Sequence, residues 1–144
     1  MQEPVKKQRH PHRGRIDTYR KTDITTANRE TILLMMYAGG IRFLKQAMQA
    51  AENNDLAEKN RLVGKAQQVV SELRATLNFE VGGQIASRLE TLYHFITERL
   101  MTATAEKTIE PLREALEILL TLNSAWEEAI ASIRKEKSLA PDKP

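Results

Sequence analysis

Residues 26–44 read TANRETILLMMYAGGIRFL, and this stretch decides the fold of the chain. Placed about 100° apart around an ideal helix axis, its apolar side chains cover roughly 200°, about twice the arc of an ordinary surface helix. The central stripe, continued to residue 48, consists of Leu33, Met36, Tyr37, Gly40, Leu44, Ala47 and Met48. Ile32 and Phe43 extend the stripe on one side, and Leu34 and Ile41 extend it on the other. We therefore expect this helix to face a core and, along its edges, a second partner.

Three further segments show helical periodicity, so the chain is predicted to form four helices. The predicted helices span residues 29–52, 56–77, 83–104 and 109–135. Because only short breaks separate them, sequential helices are expected to be antiparallel neighbours. The sequence thus predicts an all-α fold, an antiparallel up-down four-helix bundle over residues 28–135.

The predicted helix ends carry residues that favour capping. Asn28 is expected to cap the first helix and Asp55 the second, where Glu58 completes a capping-box pattern. Thr108 can cap the fourth helix, and Pro111 lies in its first turn, where a missing N–H costs little.

Two of the four helices carry more apolar surface than a single core stripe. Helices 2 and 3 show ordinary stripes of roughly 120°, and the stripe of helix 3 includes Ile85. Helix 4 directs Leu116, Trp126 and Ile133 toward the core, and its apolar arc is again roughly 200° wide. Its additional flank consists of Ala115, Ile118, Leu122, Ala125 and Ala129. Contiguous exposed apolar surface marks an interaction site, but the same pattern fits deeper burial in a homodimer.

The basic charge of the chain belongs to its N-terminal arm. Residues 1–21 hold seven basic and two acidic side chains, a net charge of +5, so the remainder of the +3 chain sums to −2. Residues 1–15 are polar, and we expect a disordered basic arm there and a disordered tail over residues 136–144. The 144 residues fit one domain without cysteines, and no segment has the composition of a signal peptide or a membrane span.

The sequence shows no catalytic, cofactor or metal-binding constellation. His10 and His12 lie in the arm, and His94 lies opposite the core stripe of helix 3, as expected for a solvated side chain. The pair Gly39-Gly40 has no preceding strand and lacks the spacing of a phosphate loop. Each glycine inside a helix costs about 1 kcal/mol relative to alanine, so we expect another helix to approach closely there. We predict a protein that is not an enzyme and uses no cofactor.

Four blocks in order resemble a known family. The first is Thr26-Ala27-Asn28 together with residues 33–44, and the others are residues 73–86, 89–93 and 119–126. They resemble the flagellar export chaperones of the FliS type, which typically show Thr-Ala-Ser-Pro, then Met-Leu-Tyr-Asp-Gly-Ala-Ile, then a Gly-Gly-Glu-Ile-Ala turn. The resemblance covers about residues 17–130. Ala38 and Asn78 stand where that family usually has acidic residues, and Asn28-Arg29 replaces Ser-Pro.

The resemblance implies a cytoplasmic chaperone that binds the disordered C-terminal segment of flagellin. Such a protein prevents premature polymerisation of flagellin and delivers it to the flagellar type III export gate, whose components are further partners. We expect a monomer or weak homodimer that neither binds nucleic acid nor inserts stably into a membrane. Amphipathic client helices would lie in grooves beside helices 1 and 4. The predicted partner-binding residues are Tyr19, Ile24, Ile32, Leu34, Ile41, Phe43, Ile118, Leu122 and Trp126.

Residues 16–27 are expected to pack on the bundle. Ile16, Tyr19 and Ile24 are too few to form a core element, but they directly precede the helix with spare apolar surface. We expect Tyr19 and Ile24 to cover the apolar groove of the free protein. Two other functions remain open on sequence alone. One is a helical homo-oligomeric adaptor, and the other is a nucleic-acid-binding regulator that uses the basic arm.

Overall fold

The computed structural model describes the backbone of residues 15–139 and the side chains of residues 28–139. Within these residues all regular structure is helical, which confirms the all-α prediction. The four helices are α1 (Arg15–Glu52), α2 (Leu56–Ala75), α3 (Phe79–Ala105) and α4 (Glu110–Leu139). Of the described residues, those up to Thr31 and those from Ile32 onward belong to separate units, and the bundle described below belongs to the second.

Contacts between helix ends show the antiparallel arrangement. The ammonium of Lys59, near the start of α2, donates to the carbonyl of Ala103, near the end of α3, at 2.6 Å. Arg99 Nη1 of α3 lies 3.3 Å from Glu114 Oε1 near the start of α4. The helices α2, α3 and α4 therefore run in alternating directions, as predicted for an up-down bundle.

The start of α1 was predicted wrongly. The helix begins at Arg15 and runs through Asn28, which therefore does not cap it. The physical reason is that residues 15–38 contain neither glycine nor proline, so nothing interrupts the backbone ladder before Gly39. The predicted arm over residues 1–15 lies outside the described residues, except for Arg15.

The other helix boundaries are close to the prediction. Asp55 Oδ1 accepts the N–H of Glu58 at 3.2 Å, so the predicted cap of α2 is confirmed. The reciprocal half of the capping box is missing, because the Asp55 N–H bonds to the Ala50 carbonyl and the Glu58 carboxylate pairs with Arg61. The predicted end of α4 at Lys135 is four residues too early, and residues 140–144 lie outside the described part of the chain.

The α2–α3 break is short. Asn78 Oδ1 accepts the N–H of Val81 at 3.1 Å, so a first helical turn forms before the predicted start at Gly83. Gly83 then adopts φ +51° and ψ −121°, which interrupts the helix. Positive φ strains an L side chain, and glycine avoids that cost. The predicted break is therefore an irregularity inside α3.

The core contains the predicted apolar stripes with two exceptions. Ile85 is 66% exposed and Ile133 is 44% exposed, although both were predicted to face the core. Ile85 precedes Ala86, the first buried residue of α3, and Ile133 follows Ile130, the last buried residue of α4. Both side chains therefore point in the core direction but lie beyond the packed length of their helices.

Candidate functional site

Gly40 positions α1 between two neighbouring helices. A Cβ atom at Gly40 would lie 3.3 Å from Leu119 Cδ1 of α4 and 3.4 Å from Val69 Cγ1 of α2. The predicted close approach of another helix is confirmed for Gly40. It is not found at Gly39, where a Cβ would meet only the Arg42 side chain at 3.9 Å. The α1 backbone thus lies deep between α2 and α4 while the Gly39 side remains open.

The open side of α1 carries an apolar edge. Ile32 and Met35 are exposed, Ile32 by 55%. Phe43 is half-buried against the core. We call Ile32, Met35 and Phe43 the α1 edge. The small residues Ala38 and Gly39 lie between its two ends and add no bulk that could cover it.

Two cations from different helices lie over the Phe43 ring. The Arg42 guanidinium carbon is 5.2 Å from the ring centroid, and Lys65 Nζ of α2 is 5.9 Å from the same centroid. A cation within about 6 Å of an aromatic face is attracted by the ring quadrupole. The Phe43 end of the α1 edge is therefore bordered by two positive charges.

The flank of α4 is only partly covered. Ile118 and Leu122 are half-buried against the core, and Ala125 and Ala129 are exposed. Ala115, predicted to belong to this flank, is instead fully buried, because the bundle is closed near the start of α4. The α4 flank therefore consists of Ile118, Leu122, Ala125 and Ala129.

The sequence analysis did not place α3 in the site, yet α3 carries an exposed aromatic side chain, Phe95, on the side that faces α4. The Arg99–Glu114 pair fixes the register of the antiparallel helices α3 and α4. Residues before Arg99 on α3 therefore lie beside residues after Glu114 on α4. Phe95, at 41% exposure, precedes Arg99 by about one turn and lies on this side of α3. The Arg99 guanidinium carbon lies 5.7 Å from the Phe95 ring centroid. Phe95 was not part of the predicted core stripe of helix 3. An aromatic side chain outside a core stripe was the sequence signal that it would be exposed.

A buried polar network joins α1, α3 and α4. The hydroxyl groups of Tyr37 and Tyr93 are hydrogen-bonded to each other. Trp126 Nε1 donates to the Tyr37 hydroxyl oxygen at 3.1 Å. Burial raises the pKa of Tyr93, and its hydrogen bond with Tyr37 raises it further. Burial also raises the pKa of Tyr37, although its hydrogen bonds with Tyr93 and Trp126 oppose the rise. Both phenols therefore stay neutral at physiological pH.

The predicted partner-binding residues differ in how far the bundle buries their side chains. Ile32 is exposed, whereas Leu34, Phe43, Ile118, Leu122 and Trp126 are half-buried. Ile41 is only 9% exposed and belongs to the core, so its surface is already covered by the bundle. The side chains of Tyr19 and Ile24 lie outside the described residues. The exposed surface thus contains two predicted groups, one on α1 and one on α4.

Acidic and histidine side chains form no cluster suited to a metal ion within the described part of the chain. Among the same residues, none of the helices combines the length and apolar character needed to cross a bilayer. His94 is exposed, as predicted, and its Nε2 lies 3.1 Å from Glu98 Oε1.

The model of the family "Flagellar protein FliS" matches residues 13–133 of this chain. The chain belongs to the FliS family. A relative named flagellar secretion chaperone FliS, from Bacillus subtilis, is 31% identical over 119 residues, which cover 83% of this chain and 88% of the relative. The flagellar secretion chaperone FliSB of Pseudomonas aeruginosa is 32% identical over 107 residues, covering 74% of this chain and 85% of the relative. The FliS chaperone of Vibrio cholerae is 30% identical over 120 residues, covering 81% and 88%.

These matches confirm the family resemblance that the sequence motifs indicated. They assign this FliS-family chain to the flagellar secretion chaperones. The helical bundle and its uncovered apolar surfaces are the features with which such a chaperone could hold an export substrate.

Proposed function

We propose that this chain is a cytoplasmic export chaperone that binds the disordered C-terminal region of flagellin. It would prevent premature polymerisation of flagellin and deliver it to the flagellar type III secretion apparatus. The observation that carries the proposal is the pair of partly exposed apolar surfaces, the α1 edge and the α4 flank. Family membership supports the same function.

The two surfaces suit amphipathic client helices. A client helix places apolar side chains at i, i+3, i+4 and i+7, which matches a groove beside a bundle helix. Ordering a disordered client costs about 2–5 kcal/mol or more, so useful affinity requires a large wrapped area. Two separate surfaces on one small bundle provide such an area. The client would then be released by handover, when another partner takes over its apolar contacts.

The proposed partner-binding residues have different roles. Ile32 and Phe43 on α1, and Ile118 and Leu122 on α4, would contact the client directly. Leu34 and Trp126 are half-buried and would contribute the part of their surface that remains open. Ile41 is buried, so it would support the surface from inside the bundle.

The N-terminal segment is part of the proposal. Tyr19 and Ile24 would cover the client groove in the free protein, and the client would displace them or include Tyr19 in its site. Deleting residues 1–15 should then change little, whereas deleting residues 1–24 should raise the binding of a hydrophobic dye. Equal dye binding by the two truncations would show that the segment covers nothing.

The test of the proposed function is a binding experiment with a C-terminal flagellin fragment. We expect a one-to-one complex by calorimetry, together with a gain in helicity by circular dichroism on mixing. Sedimentation of the free chain over a concentration series separates a monomer or weak dimer from an obligate oligomer. Absence of binding at micromolar concentrations, with the chaperone folded, would overturn the proposal.

A further inference from the structure

The positive charges beside Phe43 have no acidic partner within reach along their own helices. On α1, the side chains one turn from Arg42 are Ala38, Gly39, Lys45 and Gln46. On α2, those one turn from Lys65 are Arg61, Leu62, Gln68 and Val69. Side chains three and four residues apart are the neighbours on a helix surface, and none of these is a carboxylate.

The nearest carboxylates on α2, Glu58 and Glu72, lie seven residues from Lys65, about two turns away. Glu58, one turn before Leu62, is bound to Arg61 through two hydrogen bonds of 2.6 and 2.8 Å. Among the described side chains, Arg42 and Lys65 show contacts with the Phe43 ring and no ion pair. The two cations therefore share one aromatic ring and show no counterion among the described side chains.

Ala38 explains why the charge of Arg42 is unbalanced. It is exposed and lies four residues before Arg42, about one turn, where an aspartate would form a favourable i, i+4 pair. Because alanine supplies no counterion there, the guanidinium is available to an external one.

We propose that Arg42, Phe43 and Lys65 form an acceptor for an acidic side chain of the client segment. The client's carboxylate would pair with the guanidinium and the ammonium, and an adjacent apolar side chain would cover the exposed part of Phe43. This inference rests on the proposed function and adds the chemistry of the bound segment, which is an amphipathic helix with an acidic residue at the border of its apolar face. Charge complementarity of this kind sets the register and the association rate of a complex.

The test compares two double charge reversals in the full chain, with a C-terminal flagellin fragment as the probe. R42E/K65E reverses the acceptor, and K107E/K137E makes the same change in net charge at exposed positions elsewhere. We expect R42E/K65E to weaken binding by about tenfold or more and to flatten its salt dependence, because the attractive pairs become repulsive. The control should change affinity by less than about threefold, and circular dichroism should show that both variants fold.

Ala38→Asp provides a second, independent variant. It adds the internal counterion without removing any residue of the acceptor, so we expect several-fold weaker binding with no loss of stability. Neutralising the acidic residues of the fragment should weaken binding to the unaltered chain but have little further effect on R42E/K65E.

The outcomes separate this inference from the proposed function. If the unaltered chain binds the fragment and R42E/K65E binds equally well, or no worse than the control, the acceptor is overturned while the proposed function stands. If R42E/K65E instead loses binding to random DNA or to anionic vesicles while keeping the fragment, the acidic partner is not the client and the inference is also overturned. If the unaltered chain does not bind the fragment, both fail together.

Discussion

Two adjacent glycines in α1 have opposite surroundings, which makes them a sensitive test of the packing. Gly39 is open, so Gly39→Ala should raise the free energy of unfolding by about 0.5–1 kcal/mol, because alanine loses less backbone entropy in a helix. Gly40→Ala should give no such gain, since its Cβ would press on Leu119 and Val69. Urea unfolding of the two variants checks the difference. Equal stabilisation would show that the helices do not approach closely at Gly40.

The buried tyrosine pair predicts a specific response to alkaline pH. The folded state raises the pKa of both phenols above the usual value of 10.0, so their contribution to stability is intact below that pH and is lost as the pH rises above it. Tyr93→Phe should lower the free energy of unfolding by about 0.5–1.5 kcal/mol at pH 8 through the lost hydrogen bond.

Because Tyr93→Phe also removes one of the two titrating phenols, its Tm should fall less between pH 8 and pH 11 than the Tm of the unaltered chain. Thermal unfolding followed by circular dichroism at both pH values measures this. Parallel pH curves for the two proteins would show that the Tyr93 phenol ionises with equal ease in the folded and unfolded states.

At the scale of helices, Lys59 of α2 caps the C-terminal end of α3. It is 3% exposed, and its ammonium donates to the carbonyls of Ala103 and Glu106 at 2.6 and 3.2 Å. The last carbonyls of a helix have no partner within the helix, and a cation there also opposes the negative end of the helix dipole. Lys59 therefore fixes the α3–α4 turn against the start of α2.

Lys59→Met should lower the free energy of unfolding by about 1.5–3 kcal/mol, the range for hydrogen bonds that involve a charged group. Methionine keeps much of the packing of the lysine stem, so the loss reports mainly the two hydrogen bonds. Lys45→Met, at an exposed position of α1, is the matched control and should change stability by less than about 0.5 kcal/mol. Chemical denaturation of both variants checks the prediction, and similar losses would contradict it.

Periodicity and capping chemistry predicted most of these elements, because they are local properties of the chain. The Asp55 cap and the position of Pro111 in the first turn of α4 follow from nearby residues alone. The start of α1 was missed, because an available cap at Asn28 does not end a helix that lacks a breaker. Ile85 was misplaced for a different reason: periodicity gives the direction of a side chain but not the length over which neighbouring helices cover it.

The candidate site was predicted less completely, because it depends on contacts between helices. The wide apolar arcs of α1 and α4 were visible in the sequence, and they identified Ile32 and Leu122. No local pattern indicates that Lys65 of α2 reaches the Phe43 ring of α1, or that Trp126 donates to Tyr37. Such pairs are separated by many residues and are set by the register of the bundle.

In the whole molecule, the residues proposed to bind the client differ from the residues that stabilise the core, and this difference can be tested. Ile32 is 55% exposed, so Ile32→Glu should change the free energy of unfolding by less than about 0.5 kcal/mol. The same change should weaken binding of the flagellin fragment by at least about 2 kcal/mol if Ile32 is an interface anchor. Leu89→Ala, in the buried core, should instead cost about 2–5 kcal/mol of stability.

Urea unfolding and calorimetry on the same three proteins measure both quantities. Client binding by Leu89→Ala should be close to normal under conditions where that variant stays folded, because Leu89 does not reach the surface. If Ile32→Glu unfolds the chain as thoroughly as Leu89→Ala, the α1 edge belongs to the core. If Ile32→Glu binds the fragment as tightly as the unaltered chain, the client lies on another face, since a buried carboxylate at a direct contact could not be accommodated without loss of affinity.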